Sequence, residues 1–312
     1  MITNFWKRNP LGERGSVTDG FIHNLVELKK MSRNWAHHKR LQEDLELRQI
    51  EVKLGLFEHE QGRVYSLEDH KHHISTLYSN QGNILKDREE KWRLSGRAIW
   101  VQEGDANTKF YHKFANGRKA INTIWQMQDG QGGTANTFPQ LASLANSHFK
   151  SAFQDTRDTN LVEIIRVAQR FPRYVELEDE EYLVRDVTLD ELEATLKWFS
   201  KDKSPRPDGW TVEFFLSFFE VIGSDLLSVV EKSRTSGRLE AAITSTFIAL
   251  IPKTDKPSTF DDFCPISLCN CLYKIIAKII ANRLKPILSK HILPKQFAFL
   301  KDRKIHVAIG TA

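Results

Sequence analysis

Between Lys109 and Lys119 the chain reads Lys-Phe-Tyr-His-Lys-Phe-Ala-Asn-Gly-Arg-Lys, a run in which cationic groups alternate with rings. That interleaving suits phosphate contacts beside stacked bases or sugars. Lys109, Tyr111, His112, Lys113, Arg118 and Lys119 are therefore candidate nucleic-acid contacts. The same spacing also fits a helix with a basic face and an aromatic core face. The histidines His37, His38, His70, His72 and His73 sit among charges with no carboxylate or cysteine at a recognisable ligand spacing, which predicts a solvated helix face rather than a metal site. Cys264, Cys269 and Cys271 crowd into one stretch with no second cluster to complete a zinc site or disulfide framework. They read as free thiols in a reducing compartment.

Those residues need a scaffold, and 312 residues at 40% hydrophobic and 27% charged suffice for one large or two modest domains. The net charge of +5 permits a polyanionic partner without establishing one. The N-terminal Met1-Ile-Thr-Asn-Phe-Trp-Lys-Arg has no apolar run of signal-peptide length, and no stretch reaches the ~20 apolar residues of a membrane span. Nuclear or cytoplasmic residence, with no membrane partner, is the expectation.

From Asp19 to Glu60 apolar residues recur at steps of three and four, predicting one long amphipathic helix. Gln61-Gly62 breaks it, and a second pattern running towards Trp92 predicts an antiparallel helical hairpin with a shared apolar seam. Ile121 to Met127 reads as a strand entering an Asp129-Gly130 turn, and Phe138 to Phe153 as a helix burying Leu141, Leu144, Ala145 and Phe149. Gln154 to Glu180 reads as a connector. Thr188 opens a helix expected to end near Lys201, with Glu191 positioned to complete a capping box. Pro205, Pro207 and Asp208-Gly209 demand a stiff loop. Helices over Val212 to Val221 and Asp225 to Arg234 follow, then a β-rich run from Ser245 to Pro252, a loop from Lys253 to Phe263, and a long apolar helix from Cys269 to Leu288. That helix carries Lys274, Lys278, Arg283 and Lys285, and Pro286 interrupts its last turn.

Four segments in order resemble the reverse transcriptases of plant LINE-type (non-LTR) retrotransposons. They are Trp100-Val-Gln-Glu-Gly-Asp-Ala-Asn-Thr-Lys-Phe-Tyr-His, Asp202-Lys-Ser-Pro-Arg-Pro-Asp-Gly, Leu250-Ile-Pro-Lys, and Asp262-Phe-Cys-Pro-Ile-Ser-Leu-Cys-Asn-Cys-Leu-Tyr-Lys-Ile-Ile-Ala-Lys with Ala281-Asn-Arg-Leu-Lys. The resemblance implies an RNA-directed DNA polymerase in which the first segment grips template RNA and the others build fingers around template and nucleotide. It implies that Lys253 sits over the triphosphate, where a cationic head neutralises phosphate charge. It also makes Gln296, within Gln296-Phe-Ala-Phe, and Arg303 candidate template contacts.

The departures carry information too. Cys264 stands where the family has an arginine that grips the nucleotide's phosphates. Arg206 replaces a glycine, Phe297 a serine, and Asp302 another glycine, a pattern expected of a decaying silenced copy. The family's catalytic aspartates, which hold two metal ions for nucleotide joining, find no match among the Asp and Glu residues present. No catalytic residue and no cofactor are therefore assigned; Mg²⁺ is expected only in the full-length family enzyme. Losing one charge-assisted arginine contact costs about 1.5 to 3 kcal/mol. A metal centre underlies most of a rate enhancement of ~8 kcal/mol or more, so its loss dominates.

The expected fold is α+β and mostly helical: a helical hairpin region over 1–100, an N-terminal extension and connector over 101–186, and a partial reverse transcriptase domain over 187–312. This last part is an incomplete right-hand polymerase with fingers and the start of the palm. Without a palm sheet, the apolar helix from Cys269 is expected to lack a partner surface and the chain to be marginally stable. RNA or an RNA/DNA hybrid is the expected partner, with self-association through the N-terminal helices as a further one. The competing reading is a non-enzymatic RNA-binding or coiled-coil interaction protein derived from a retroelement.

Overall fold

A computed structural model of the chain describes residues 1–13, 15–59, 67–96, 113, 116–117, 120, 122–129, 132–154, 161–170, 175–200 and 207–292. These residues are mostly helical, with two small antiparallel sheets. The chain divides into two compact units, Met31–Leu144 and a second formed by Met1–Lys30 with Ala145–Ala312.

The helix α1 (Ile2–Arg8) precedes α2 (Val17–His59), the long helix that the apolar spacing predicts. Its start is set chemically: the Ser16 hydroxyl accepts from the Asp19 backbone N–H at 3.1 Å and donates to the Asp19 carboxylate at 2.9 Å. An acid in the first turn also suits the helix dipole.

In the Met31–Leu144 unit, the distal part of α2 meets α3 (Leu67–Gly96). Arg88 pairs with Asp44 at 2.5 Å, while the Phe57 and His73 rings lie 5.7 Å apart. Partner numbers fall along α3 as they rise along α2, so the two helices are antiparallel, as the sequence predicts. Leu47, Ile50 and Leu77 are buried in the seam, and His37, His38, His72 and His73 are exposed. The expected strand is shorter than its sequence suggests. Only β1 (Met127–Gln128) finds a partner, β2 (Thr134–Ala135), closed by Asp129 accepting from the Gly133 N–H at 2.6 Å.

The larger unit is built round one core that includes Phe21, Leu25 and Leu28 of α2 with residues far along the chain. It contains the C-terminal part of α4 (Phe138–Phe153), then α5 (Leu161–Ala168), α6 (Leu177–Val184), α7 (Leu189–Lys197), α8 (Val212–Ser217) and α9 (Phe219–Ser236). The helix α10 (Ala241–Thr244), the strands β3 (Thr246–Pro252) and β4 (Phe263–Cys269), and α11 (Cys271–His291) complete it.

Several expectations are corrected. The connector contains α5 and α6; the acids Glu178, Asp179 and Glu180 in the first turn of α6 favour that helix. The helix α7 ends at Lys197 rather than Lys201, because its final bonds tighten to i→i−3, with Trp198 N–H donating to Thr195 and Phe199 N–H to Leu196. Of the residues expected to be buried in α4, Phe149 is; Leu141, Leu144 and Ala145 are half-buried. The helix α11 runs through Pro286 to His291, held on both sides by buried Arg283 and Ile287. Nor does its apolar face lack a partner. Leu272, Ile275, Ile276 and Ile279 lie in the core with Leu192 and Leu196 of α7 and Ile222, Leu226 and Val229 of α9. At about 25 cal/mol per Å², burying such side chains stabilises by about 1.5–3 kcal/mol each.

Candidate nucleic-acid interface

The strands β3 and β4 form an antiparallel ladder from Thr246↔Cys269 to Pro252↔Phe263, extended by the Lys253 N–H donating to Asp262 C=O at 2.8 Å. The sequence shows β3 by its β-branched run. It conceals β4, since the sequence puts Phe263 in a loop and Cys269 in a helix, and Pro265 between them has no N–H for a ladder; pairing with β3 makes the segment extended. Strand alternation puts Phe247, Ala249, Ile251 and Lys253 on one face with Cys264, Ile266 and Leu268. Phe247, Ile251 and Ile266 are exposed there, so the hairpin presents an apolar strip beside a lysine.

Of the residues assigned from sequence, the structure thus brings Lys253 and Cys264 onto one face, Cys264 opposite Ile251. Both are exposed. The Lys253 ammonium donates to the Asp261 carbonyl at 2.9 Å, which leaves two of its donors for an anion. Lys113 is exposed in a helical position. Lys109, Tyr111, His112, Arg118, Lys119, Gln296 and Arg303 lie outside the described residues. Thiol chemistry checks this placement: Cys264 is exposed, Cys269 half-buried and Cys271 buried. A disulfide reagent should modify Cys264 rapidly and Cys271 only on unfolding; peptide mapping that finds Cys271 labelled first would contradict the hairpin register.

The loop at the far end of the hairpin is held by an acid, Asp262. The Asp262 carboxylate accepts from the N–H groups of Thr259 at 2.9 Å and Ser258 at 2.8 Å, as well as from both hydroxyls. Those backbone bonds, Thr259 first, hold its carboxyl below the usual aspartate range. Asp261 keeps its carboxylate exposed. Beneath the loop, Phe260 packs edge-on against Phe149 of α4 with centroids 5.7 Å apart.

The other end of the hairpin is joined to the Pro-Asp-Gly loop. Asp208 accepts from the Trp210 N–H at 3.1 Å, closing the turn, and from the Cys271 N–H at 3.3 Å, capping the first residue of α11. Its own N–H donates to the Asn270 side chain at 3.1 Å, and the Asn270 amide donates to Ala242 C=O at 2.8 Å. Gly209 has φ +83°, and a Cβ there would lie 2.7 Å from the Lys29 side chain. The positive φ is what requires glycine, since the flexible end of Lys29 can move aside. Asp208 and Asn270 therefore fix where β4 ends and α11 begins.

Sequence reasoning missed Arg283. It counts as one basic residue on α11, yet its side chain is only 4% exposed. Its Nε and Nη2 form a bidentate pair with Glu191 at 2.8 and 2.7 Å. The remaining donors reach the carbonyls of Leu183, Arg185 and Asp186. All five N–H groups are satisfied, and Glu191 is drawn away from the capping box; Thr188 still accepts from the Glu191 N–H at 3.2 Å. The available signal was position: Ile275, Ile279, Arg283 and Ile287 recur every fourth residue, which places the arginine within the apolar stripe.

Among the described residues, no group of three His, Cys, Asp or Glu side chains could hold a metal ion. Nor is any helix among them long and apolar enough to cross a membrane. These residues define a predominantly helical chain that presents an exposed β-hairpin from a packed helical base.

No protein-family model matches the chain. Over 125 residues it is 35% identical to a Xenopus laevis protein described as "Transposon TX1 uncharacterized 149 kDa protein". The match covers 40% of this chain and 10% of that relative's length. The similarity points to a retroelement origin.

Proposed function

We propose that the chain is the N-terminal and fingers portion of a LINE-type, non-LTR reverse transcriptase of plant kind, holding nucleic acid without joining nucleotides. The observation that carries this reading is the exposed hairpin with Lys253 and Cys264 on one face, anchored through Asn270 to the Asp208 turn. A hairpin of this build offers a cation to phosphate from a surface that can close over a nucleotide or template strand. The transposon relative and the order of the sequence segments support it. Cys264 supplies no guanidinium, so grip on a triphosphate is weakened, and no residue here is assigned to a catalytic metal.

The test has two readouts. Titrating purified protein against structured RNA at several salt concentrations should give a logarithmic affinity that falls steeply with logarithmic salt. Primer extension with magnesium or manganese should give no product. A flat salt response would remove the binding half of the reading, and extension by polymerase-free protein would remove the other.

The non-enzymatic interaction reading has one observation in its favour. The α2–α3 hairpin leaves Trp35, Leu41, Leu45, Val52 and Leu56 exposed, apolar surface suited to self-association. Sedimentation that shows only monomer at high concentration would dismiss it.

A further inference from the structure

The helix α11 spans 21 residues without a single Asp or Glu, while it carries Lys274, Lys278, Arg283, Lys285 and Lys290. Acids from other elements answer some of these cations: Glu191 binds Arg283, and Asp179 lies 3.3 Å from Lys290. Among the described residues, no acid pairs with Lys278 or Lys285. These two are seven positions apart, two turns on one face, with exposed Ala281 and half-buried Asn282 between them.

At one end of this face stands Trp198, the residue that closes α7. The helix α7 runs antiparallel to α11, since Glu191 at its start meets Arg283 and Trp198 at its end meets Lys278. The Lys278 ammonium lies 3.5 Å from the indole centroid, yet the tryptophan is 67% exposed. An indole this exposed offers aromatic surface on which a base can stack. Lys278 is also held below the usual lysine range, first by partial burial and then by repulsion from Lys285. A bound anion would relieve that repulsion.

We infer that Trp198, Lys278 and Lys285 form a second nucleic-acid contact, distinct from the hairpin, that holds a single strand by stacking a base on the indole and pairing its phosphates with the two lysines. The occupant is a single strand because the indole needs an unpaired base, whose face a duplex hides. A protein partner with an acidic face would satisfy the lysines but has no need for an exposed indole. The inference extends the nucleic-acid reading above to a new surface and can fail while the hairpin reading stands.

The experiment titrates the full chain with a fluorescent single-stranded oligoribonucleotide and with its duplex, following anisotropy across a salt series. The parent should prefer the single strand. Trp198→Ala should weaken binding about ten-fold, within the range base–aromatic stacking supplies. The double variant Lys278→Gln, Lys285→Gln should reduce the salt slope by about 1.4, or ~0.7 for each lost phosphate contact. Circular dichroism melts check that each variant folds. Photocrosslinking of the unaltered chain to a 4-thiouridine oligonucleotide should label the peptide containing Trp198.

Wild-type affinity in Trp198→Ala, equal binding of duplex and single strand, or crosslinks confined to other peptides would each overturn the inference. If Lys253→Gln abolishes binding while Trp198→Ala does not, the hairpin reading survives and this one falls. If the parent chain binds no oligonucleotide at all, both fall.

Discussion

Replacing Arg283 with methionine should destabilise the folded chain by about 3–5 kcal/mol, the cost of leaving one partner of a buried ion pair uncompensated. The methionine keeps much of the side-chain volume, so the loss is electrostatic rather than a cavity. Glu191 would lose both charge-assisted bonds, and the carbonyls of Leu183, Arg185 and Asp186 would lose their donor. Against a typical total of about 5–15 kcal/mol, this is a large fraction. Lysine should not rescue, since three rotatable donors on one point charge cannot satisfy five sites spread over a planar fork. Urea unfolding checks it through the midpoint, and a variant within 1 kcal/mol of the parent, on the scale of an exposed pair, would show the clamp to be ornamental.

Acid should act through the same pair. The Glu191 carboxyl lies below its ordinary value of 4.5, chiefly through the hydrogen bond from Arg283. Because the folded-state value is the lower one, the stabilisation is complete above about 4.5 and is lost as pH falls through the folded value. Melting temperature should therefore drop below pH 4.5 in the parent, and the Arg283→Met variant should show a shallower drop. Equal acid slopes in the two proteins would assign the acid sensitivity to other carboxylates.

Phe21→Ala should cost about 3–5 kcal/mol, the range for removing a fully buried phenylalanine from a core that relaxes only in part. Phe21 is 0% exposed and packs edge-on to Trp6 with centroids 5.3 Å apart. Trp6 in turn donates its indole N–H to the Asp225 carboxylate of α9 at 2.7 Å. The segment Met1–Lys30 is thus part of the same core as α9 and α11, and truncating one ring should lower the cooperative melt of that whole unit. A Phe21→Ala protein that melts like the parent would mean the N-terminal helices rest on the unit without completing it. The expectation of a solvent-stranded α11 goes wrong in the same core, where its apolar residues are buried with those of α7, α9 and the N-terminal segment.

What the amino-acid sequence makes legible comes from local periodicity. The spacing of apolar residues gave α2, α3, α4 and α11, with ends displaced by a few residues, and Asp208-Gly209 was read as a turn from its residue chemistry. The extended form of Phe263–Cys269 was not, because Pro265 argues against a strand until β3 supplies seven cross-strand partners. The roles of Asp208, Asn270 and Arg283 were hidden for a related reason. Each depends on partners 62 or more residues away, such as Asp208 with Asn270 and Arg283 with Glu191.

The amino-acid order by itself determined which segments are amphipathic, where the backbone must turn, and that the long apolar helix is basic along its whole length. Tertiary structure alone decided which of those charges are used internally and which stay open. Arg283 is consumed by Glu191, while Lys278 and Lys285 find no acid among the described residues. The physical reason is that a cation's fate depends on the charge packed against it. That neighbour comes from whichever helix the core brings alongside, not from the residues next to it in the chain.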